Sequence, residues 1–296
     1  MSLALAHDAQ LQIRFFLGDL AGAEEHFIQM DSLLDAPGFA QYAGQFVSVM
    51  GIASALAFFM GRADTARQRL AKLITFTHNS QNSSDAAFGL FFQSWLYADL
   101  GDLRRAEAAA TQALALAEEG GFPYISSLAR AQLGRARTQL GDVSESVALI
   151  REAIAGLRQT GSRIAITYIL TWLALAQALS GKIGDALDSI EEALSANPEE
   201  VIYRPHALTS RGELRLKIGK PDLAETDFRE VIMLTQRIGA KSYELHAITS
   251  LARLLRDTGR RDEARTTLAE IYNWFTEGFD TADLKDAKAL LDELAS

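Results

Sequence analysis

The segment "AFGLFFQSWLYADLGD", residues 87–102, sets Phe88, Phe91, Phe92, Trp95 and Tyr97 within ten positions of a chain that is only 8% aromatic. It closes on Leu100-Gly101-Asp102, and that punctuation recurs along the sequence: Leu17-Gly18-Asp19, Met60-Gly61-Arg62, Leu140-Gly141-Asp142, Ser180-Gly181-Lys182, Ile218-Gly219-Lys220 and Thr258-Gly259-Arg260. Successive glycines are 43, 40, 40, 40, 38 and 40 residues apart, which makes seven units of about 40 residues.

Each unit repeats more than its glycine. Five positions after it stand Ala23, Ala66, Ala106, Ser146, Ala186, Ala224 and Ala264, all small. Nine positions after it stand Phe27, Leu70, Ala110, Ile150, Ile190, Phe228 and Leu268, all apolar. Seven positions before it the residue is again small (Ser54, Ser94, Gly134, Ala174, Gly212, Ala252), except in the first unit, where it is Leu11. Small residues let two helix axes approach, and larger apolar ones fill the space beside them. A glycine can take positive φ and end a helix. A second break follows at Gly38, Gly121, Gly161, Gly239 and Gly278, with Asn79 and Asn197-Pro198 in the remaining units. Each unit therefore reads as helix A, a tight turn, helix B and a longer turn.

A small residue, twelve residues, alanine, three residues and an apolar position, as in Ser94, Ala106 and Ala110, resembles the tetratricopeptide (TPR) signature, here lengthened from its usual 34 residues. The resemblance implies an all-α, right-handed α-solenoid of seven TPR-like helix pairs. The units are expected at 2–36, 37–79, 80–120, 121–160, 161–198, 199–238 and 239–278, with a capping helix over 280–295. "GAKSYELHAITSLARLLRDTGRRDEARTTLAEIYNWFTEGFDTADLKDAKALLDEL" (239–294), together with "EEGGFPY" (118–124) and "RGELRL" (211–216), resembles the C-terminal TPR region of bacterial class III adenylate/guanylate cyclases that carry an AAA-type ATPase domain. That likeness implies a regulatory region of a signalling protein. Nothing in the chain matches the cyclase or ATPase parts, so neither activity is implied.

In TPR proteins helix A lines a concave face. On the family register the groove positions lie about 13, 10, 9 and 6 residues before the turn glycine. They are Phe88, Phe91, Phe92 and Trp95; then Tyr168, Thr171, Trp172 and Leu175; then His206, Thr209, Ser210 and Glu213; and last His246, Thr249, Ser250 and Arg253. The aromatic strip reads either as a binding surface for a protein, peptide or small effector, or as core enclosed by a tight superhelix. Arg253 with His246 could hold an anion, or Arg253 could pair with a surface acid. The Lys and Asn of carboxylate-clamping TPR domains are replaced here by Phe91, Trp95, Ala131 and Arg135, so no such clamp is expected.

The remaining chemistry is sparse. Net charge −9 argues against a nucleic-acid partner. The absence of cysteine removes disulfides, thiolate metal sites and a thiol nucleophile, and with no signal peptide at the start it fits the cytoplasm. No two of His7, His26, His78, His206 and His246 share a helical metal spacing. Register could still bring His206 and His246 together across adjacent units. No phosphate loop, dinucleotide fingerprint or nucleophile elbow occurs, and Glu24-Glu25 and Glu191-Glu192 read as solvated acidic faces. No enzyme, cofactor or metal is expected. The uncharged runs 36–61 and 164–181 read as buried helices rather than membrane spans.

The two ends differ. Asp280 or Thr281 can cap a final helix with Leu284, Ala287, Leu290, Leu291 and Leu294 on one face. The first helix has no equivalent, and Leu11 replaces the small residue: it reads either as a modified cap or as a raw end cut from a longer array, and a raw end would form a homodimer through residues 2–34. Two functional readings result: a sensory module of a cyclase- or ATPase-linked regulator, or a stand-alone cytoplasmic TPR adaptor.

Overall fold

All seven turn glycines sit in the left-handed region, with φ between 72° and 95°. At Gly101 the cap closes with Gly101 N–H donating to the Ala98 carbonyl (3.2 Å) and Asp102 N–H to that of Tyr97 (2.8 Å). A side chain at that φ would be strained. The computed structural model describes residues 2–34 and 43–295, and among these every regular element is helical. The break expected at Gly38 lies outside the described residues.

The helices pack as consecutive pairs: α1 (Ser2–Leu17) with α2 (Leu20–Leu34), α3 (Ala43–Phe59) with α4 (Ala63–Asn79), α5 (Ser83–Asp99) with α6 (Leu103–Glu119), and α7 (Pro123–Leu140) with α8 (Val143–Gln159). There follow α9 (Ile166–Leu179) with α10 (Ile183–Ala196), α11 (Arg204–Lys217) with α12 (Pro221–Ile238), and α13 (Lys241–Asp257) with α14 (Arg261–Trp274). The last helix, α15 (Ala282–Ala295), packs on α13 and α14 and buries Leu284, Ala287, Leu290 and Leu294. A 3₁₀ turn at Val201–Tyr203 leads into α11.

The small-residue rule has a direct physical cause. A methyl group on Gly134 would lie 2.6 Å from Ile150, and one on Gly212 would lie 2.5 Å from Phe228. At these two positions helix B presents a bulky residue so close that helix A can hold no side chain. Where helix B presents Ala110, helix A affords Ser94, whose hydroxyl donates to the Ala106 carbonyl at 2.9 Å. In the first pair, where Leu11 faces Phe27, both are buried.

The solenoid winds tightly enough to meet itself. The α1–α2 turn at Gly18 abuts Val201 and Ile238; the α3–α4 turn at Gly61 abuts Lys241, Trp274 and Phe275; the α5–α6 turn at Gly101 abuts Ala282. Each turn thus touches chain about five units further on. The seam is hydrogen-bonded. Ser242 Oγ reaches the Phe58 carbonyl, Glu277 Oε1 accepts from the N–H groups of Asp64 (3.0 Å) and Thr65 (3.2 Å), and Arg67 forks onto Asp280 (2.9 and 3.0 Å). Helix α4 has no side-chain cap of its own, so Glu277 supplies one from 213 residues away.

One acidic pair departs from its reading as a solvated face. Glu24 is buried and bidentate to Arg69 (2.6 and 2.9 Å), whose guanidinium lies 4.1 Å from the Phe27 ring centre. Glu191 and Glu192 are exposed and pair with Arg211 and Arg158. Among the described residues no helix is long and apolar enough to cross a membrane.

Candidate functional site

Because the superhelix closes, its concave face becomes an interior with two unlike parts. On one side the aromatic strip is packed dry. Phe91, Phe92 and Trp95 are each no more than 5% exposed. Trp95 lies 5.9 Å from Tyr168, 6.3 Å from Tyr203 and 6.3 Å from Phe59, ring centre to ring centre. Phe88 is half-buried against Phe91 and Phe92. Register aims these residues inward, and five units per turn bring other walls onto them; of the candidate ligand-binding residues, Phe91, Phe92 and Trp95 therefore sit in core rather than on an open groove, and Phe88 packs half-buried at its edge.

On the other side a cavity of about 270 Å³ remains. Its wall draws on α3, α5, α7, α9, α11, α13 and the start of α15, and includes Tyr168, Trp172 and His206 of the candidate set. Arg253 lies elsewhere and forks onto Asp286 of α15 at the surface. The side chains that give the cavity its charge are Asp99, Arg135, His246 and Asp283. Of these, Arg135 and His246 stand at register positions that the sequence marks as groove. Asp99, two residues before its turn, and Asp283, on the terminal helix, carry no such signal.

Arg135 is the hub. Its Nη2 donates to Asp99 Oδ1 at 2.6 Å, Nη1 to the Tyr168 hydroxyl, and its guanidinium centre lies 4.5 Å from the Trp172 ring centre. Burial pushes the Asp99 carboxyl upward, with Arg135 opposing. Burial works against the Arg135 charge, but Tyr168 and Asp99 outweigh it. Burial likewise raises the Tyr168 phenol, which stays protonated.

The two histidines are driven apart. Burial, with His246 and Arg135 nearby, lowers His206 to about 3, so it is neutral. Burial also opposes charge on His246, but Glu213 (3.4 Å from Nε2) and Asp283 (4.0 Å from Nδ1) outweigh it and raise His246 to about 9. Glu213 in turn accepts from Ser250 Oγ at 3.0 Å. His246 is the wet member, with 44% of its side chain exposed.

Four buried polar atoms of the wall residues have no protein partner: Asp99 Oδ2, Arg135 Nε, Trp172 Nε1 and His206 Nδ1. Native interiors satisfy nearly all such groups with protein, water or ligand. The wall thus combines aromatic faces, one paired cation, one imidazolium and two carboxyl groups, those of Asp99 and Asp283, around a small volume. It has no nucleophile–base pair.

Comparison with known proteins places this architecture. A tetratricopeptide-repeat model matches residues 246–270, and a model of anaphase-promoting complex subunit 5 matches 58–122 and 122–180. No curated protein matches in sequence. Among solved structures, NprR in complex with its cognate peptide NprX superposes with a TM-score of 0.63 at 14% identity, over 98% of this chain and 81% of that one. A Rap protein complexed with competence and sporulation factor gives 0.59 at 12%, over 100% and 98%. A tetratricopeptide repeat protein from Parabacteroides merdae gives 0.56 at 13%, over the whole of both chains. At such identities the likeness is one of fold.

Proposed function

We propose that this chain, an all-α repeat protein of the TPR type, is a non-enzymatic sensory or regulatory module that takes a small effector into the cavity at its axis. The observation that carries the reading is the wall itself: charged and aromatic side chains from seven helices converge on about 270 Å³, with four polar atoms of wall residues left unpartnered. That volume lies just below the usual range for small-molecule sites, about 300–1,000 Å³. It is too small for an extended peptide. A binding role is in keeping with NprR, solved with a peptide. Here the seam narrows the interior to a cavity with a solvent-open mouth at His246 and Asp283, so a peptide or protein partner would use that mouth or the outer surface. Because walls from both sides of the seam meet at the cavity, an occupant would tie α3 and α5 to α13 and α15. The winding could then report occupancy to an attached domain. The resemblance of 239–294 supports a cyclase- or ATPase-linked regulator as that setting; a stand-alone cytoplasmic adaptor is the alternative.

A thermal-shift screen of small polar and aromatic metabolites, run beside a peptide library, tests this. The expected result is stabilisation by a small molecule that is lost when Thr209→Met fills the cavity. Peptide binding that survives Thr209→Met, with no small-molecule hit, would move the function to the outer surface.

A further inference from the structure

We infer that the occupant of the cavity is a free α-amino acid with an apolar side chain, held as a zwitterion between a donor corner and an acidic edge of the wall. The inference rests on the reading of the cavity as an effector site and names the chemistry that the site takes. The donor corner lies on α7, α9 and α11. Arg135 Nε and Trp172 Nε1 have no partner and can only donate, and the unpartnered His206 Nδ1 adds a third nitrogen. The three groups are close: the Trp172 ring centre lies 4.5 Å from the Arg135 guanidinium and 5.0 Å from the His206 ring. The corner is electropositive, since the charges of His246 and Arg135 add to burial in lowering His206. A carboxylate placed there gains charge-assisted hydrogen bonds from groups that now make none.

The acidic edge is made by the seam. Ala282 abuts the turn at Gly101, which brings Asp283 of α15 to the side of the cavity that Asp99 of α5 lines. The Asp283 charge adds to the upward push that burial gives the Asp99 carboxyl, against Arg135. Asp99 Oδ2 has no partner. An ammonium group seated there relieves the repulsion and gives that oxygen a donor. Charge then selects the class. Arg135 with Asp99 and His246 with Asp283 leave the lining neutral as a whole, with His206 uncharged. A simple anion would serve the donor corner and leave the two acids facing each other; an amine would do the reverse. Either would bring an unpaired charge into a small enclosed space. A zwitterion serves both. The two subsites adjoin, because Arg135 and Asp99 are themselves paired at 2.6 Å, Nη2 to Oδ1, with Nε and Oδ2 left over. Neighbouring free groups match the single carbon between the charges of an α-amino acid. Phe58 and Phe59, with Tyr243 stacked 4.8 Å from Phe59, give its side chain an apolar wall.

A thermal-shift screen of the apolar amino acids on the whole chain picks the probe. Calorimetry then compares it with its decarboxylated amine and its deaminated acid, each of which keeps one charge. Expected is a loss of about tenfold or more in affinity for both, the worth of a charged hydrogen bond. Two mild variants assign the ends, with melting temperature as the folding control. Trp172→Phe keeps the ring and removes the donor, so it should weaken the amino acid and leave the amine unchanged. Asp283→Asn, at the solvent-open mouth, should weaken the amino acid and leave the deaminated acid unchanged. An amine or acid that binds as tightly as the amino acid overturns the zwitterion. If no amino acid binds, but another small molecule does and is lost in Thr209→Met, the class is wrong and the cavity reading stands. If nothing binds in a Thr209-dependent way, both fall together.

Discussion

The two halves of the interior occupy equivalent positions of the same repeat, yet one is dry and the other wet. Phe91, Phe92 and Trp95 of α5 meet Tyr168 and Tyr203 and exclude solvent. At the registers of Phe88 and Phe91 the chain later offers His206 and Thr209, and there a cavity survives beside Arg135 and His246. Backbone winding brings walls together around the whole axis; side-chain volume decides where they touch. Residues that fill the axis hold the fold, and residues that fall short of it leave a binding space.

The largest effect expected from breaking this contrast is at Trp95. Trp95→Ala removes an indole from the centre of the dry wall and should cost about 3–5 kcal/mol, read by equilibrium denaturation. A cost under about 1 kcal/mol would mean that the strip is not core.

Next comes the one carboxylate buried behind that wall. Glu200 is 2% exposed; its Oε1 accepts from the Ala165 N–H at 2.6 Å and its Oε2 has no partner. Burial raises it from 4.5 to about 7, with the Ala165 hydrogen bond opposing. Between these values the folded chain keeps a proton that the unfolded chain releases. Stability therefore falls as pH rises from about 4.5 to 7 and the loss is complete above, on the order of 3 kcal/mol for this group. Glu200→Gln retains the acceptor and should flatten that part of the pH profile, gaining most relative to wild type near pH 8. Parallel profiles for the two proteins would disprove the assignment.

Much of this was legible in sequence. The seven glycines, the small positions and the apolar positions specify pairing between consecutive helices, because those contacts are local and periodic. Closure was not legible. It depends on the small rotation accumulated per unit, and its contacts join residues such as Glu277 and Asp64 that share no pattern. The site inherited that blind spot. Tyr168, Trp172 and His206 followed from register, whereas Asp99 and Asp283 come from outside the groove positions and Arg253 is drawn off by Asp286.

The seam itself carries the third effect. Glu277→Ala leaves two N–H groups at the start of α4 without their acceptor and should cost about 1 kcal/mol, as for loss of a helix cap. Hydrogen exchange should quicken at Asp64 and Thr65, far from the substitution in sequence. If exchange quickened only around residues 274–281, the cross-seam cap would be refuted.

The smallest effect lies on the wet wall, and its sign separates it from Glu200. His246 is raised from 6.5 to about 9 against its burial, by Glu213 and Asp283. A base with a raised folded value contributes stability that is present in full below 6.5 and is lost as pH rises through 9. With 44% of the side chain exposed, solvent screens the pairs, and the contribution should stay below about 1 kcal/mol. His246→Gln should therefore match wild type at pH 10 and fall slightly behind at pH 6, whereas Trp95→Ala falls far behind at both. Asp283 belongs to α15 while His246 belongs to α13, so the imidazolium also holds the terminal helix to the cavity wall. NMR titration of the ring should give a midpoint near 9 that drops in Asp283→Asn and drops further in Glu213→Gln, in the order of their distances. A midpoint at an ordinary histidine value would show that neither carboxylate faces the ring, and that the wet wall lacks the charge on which its binding role depends.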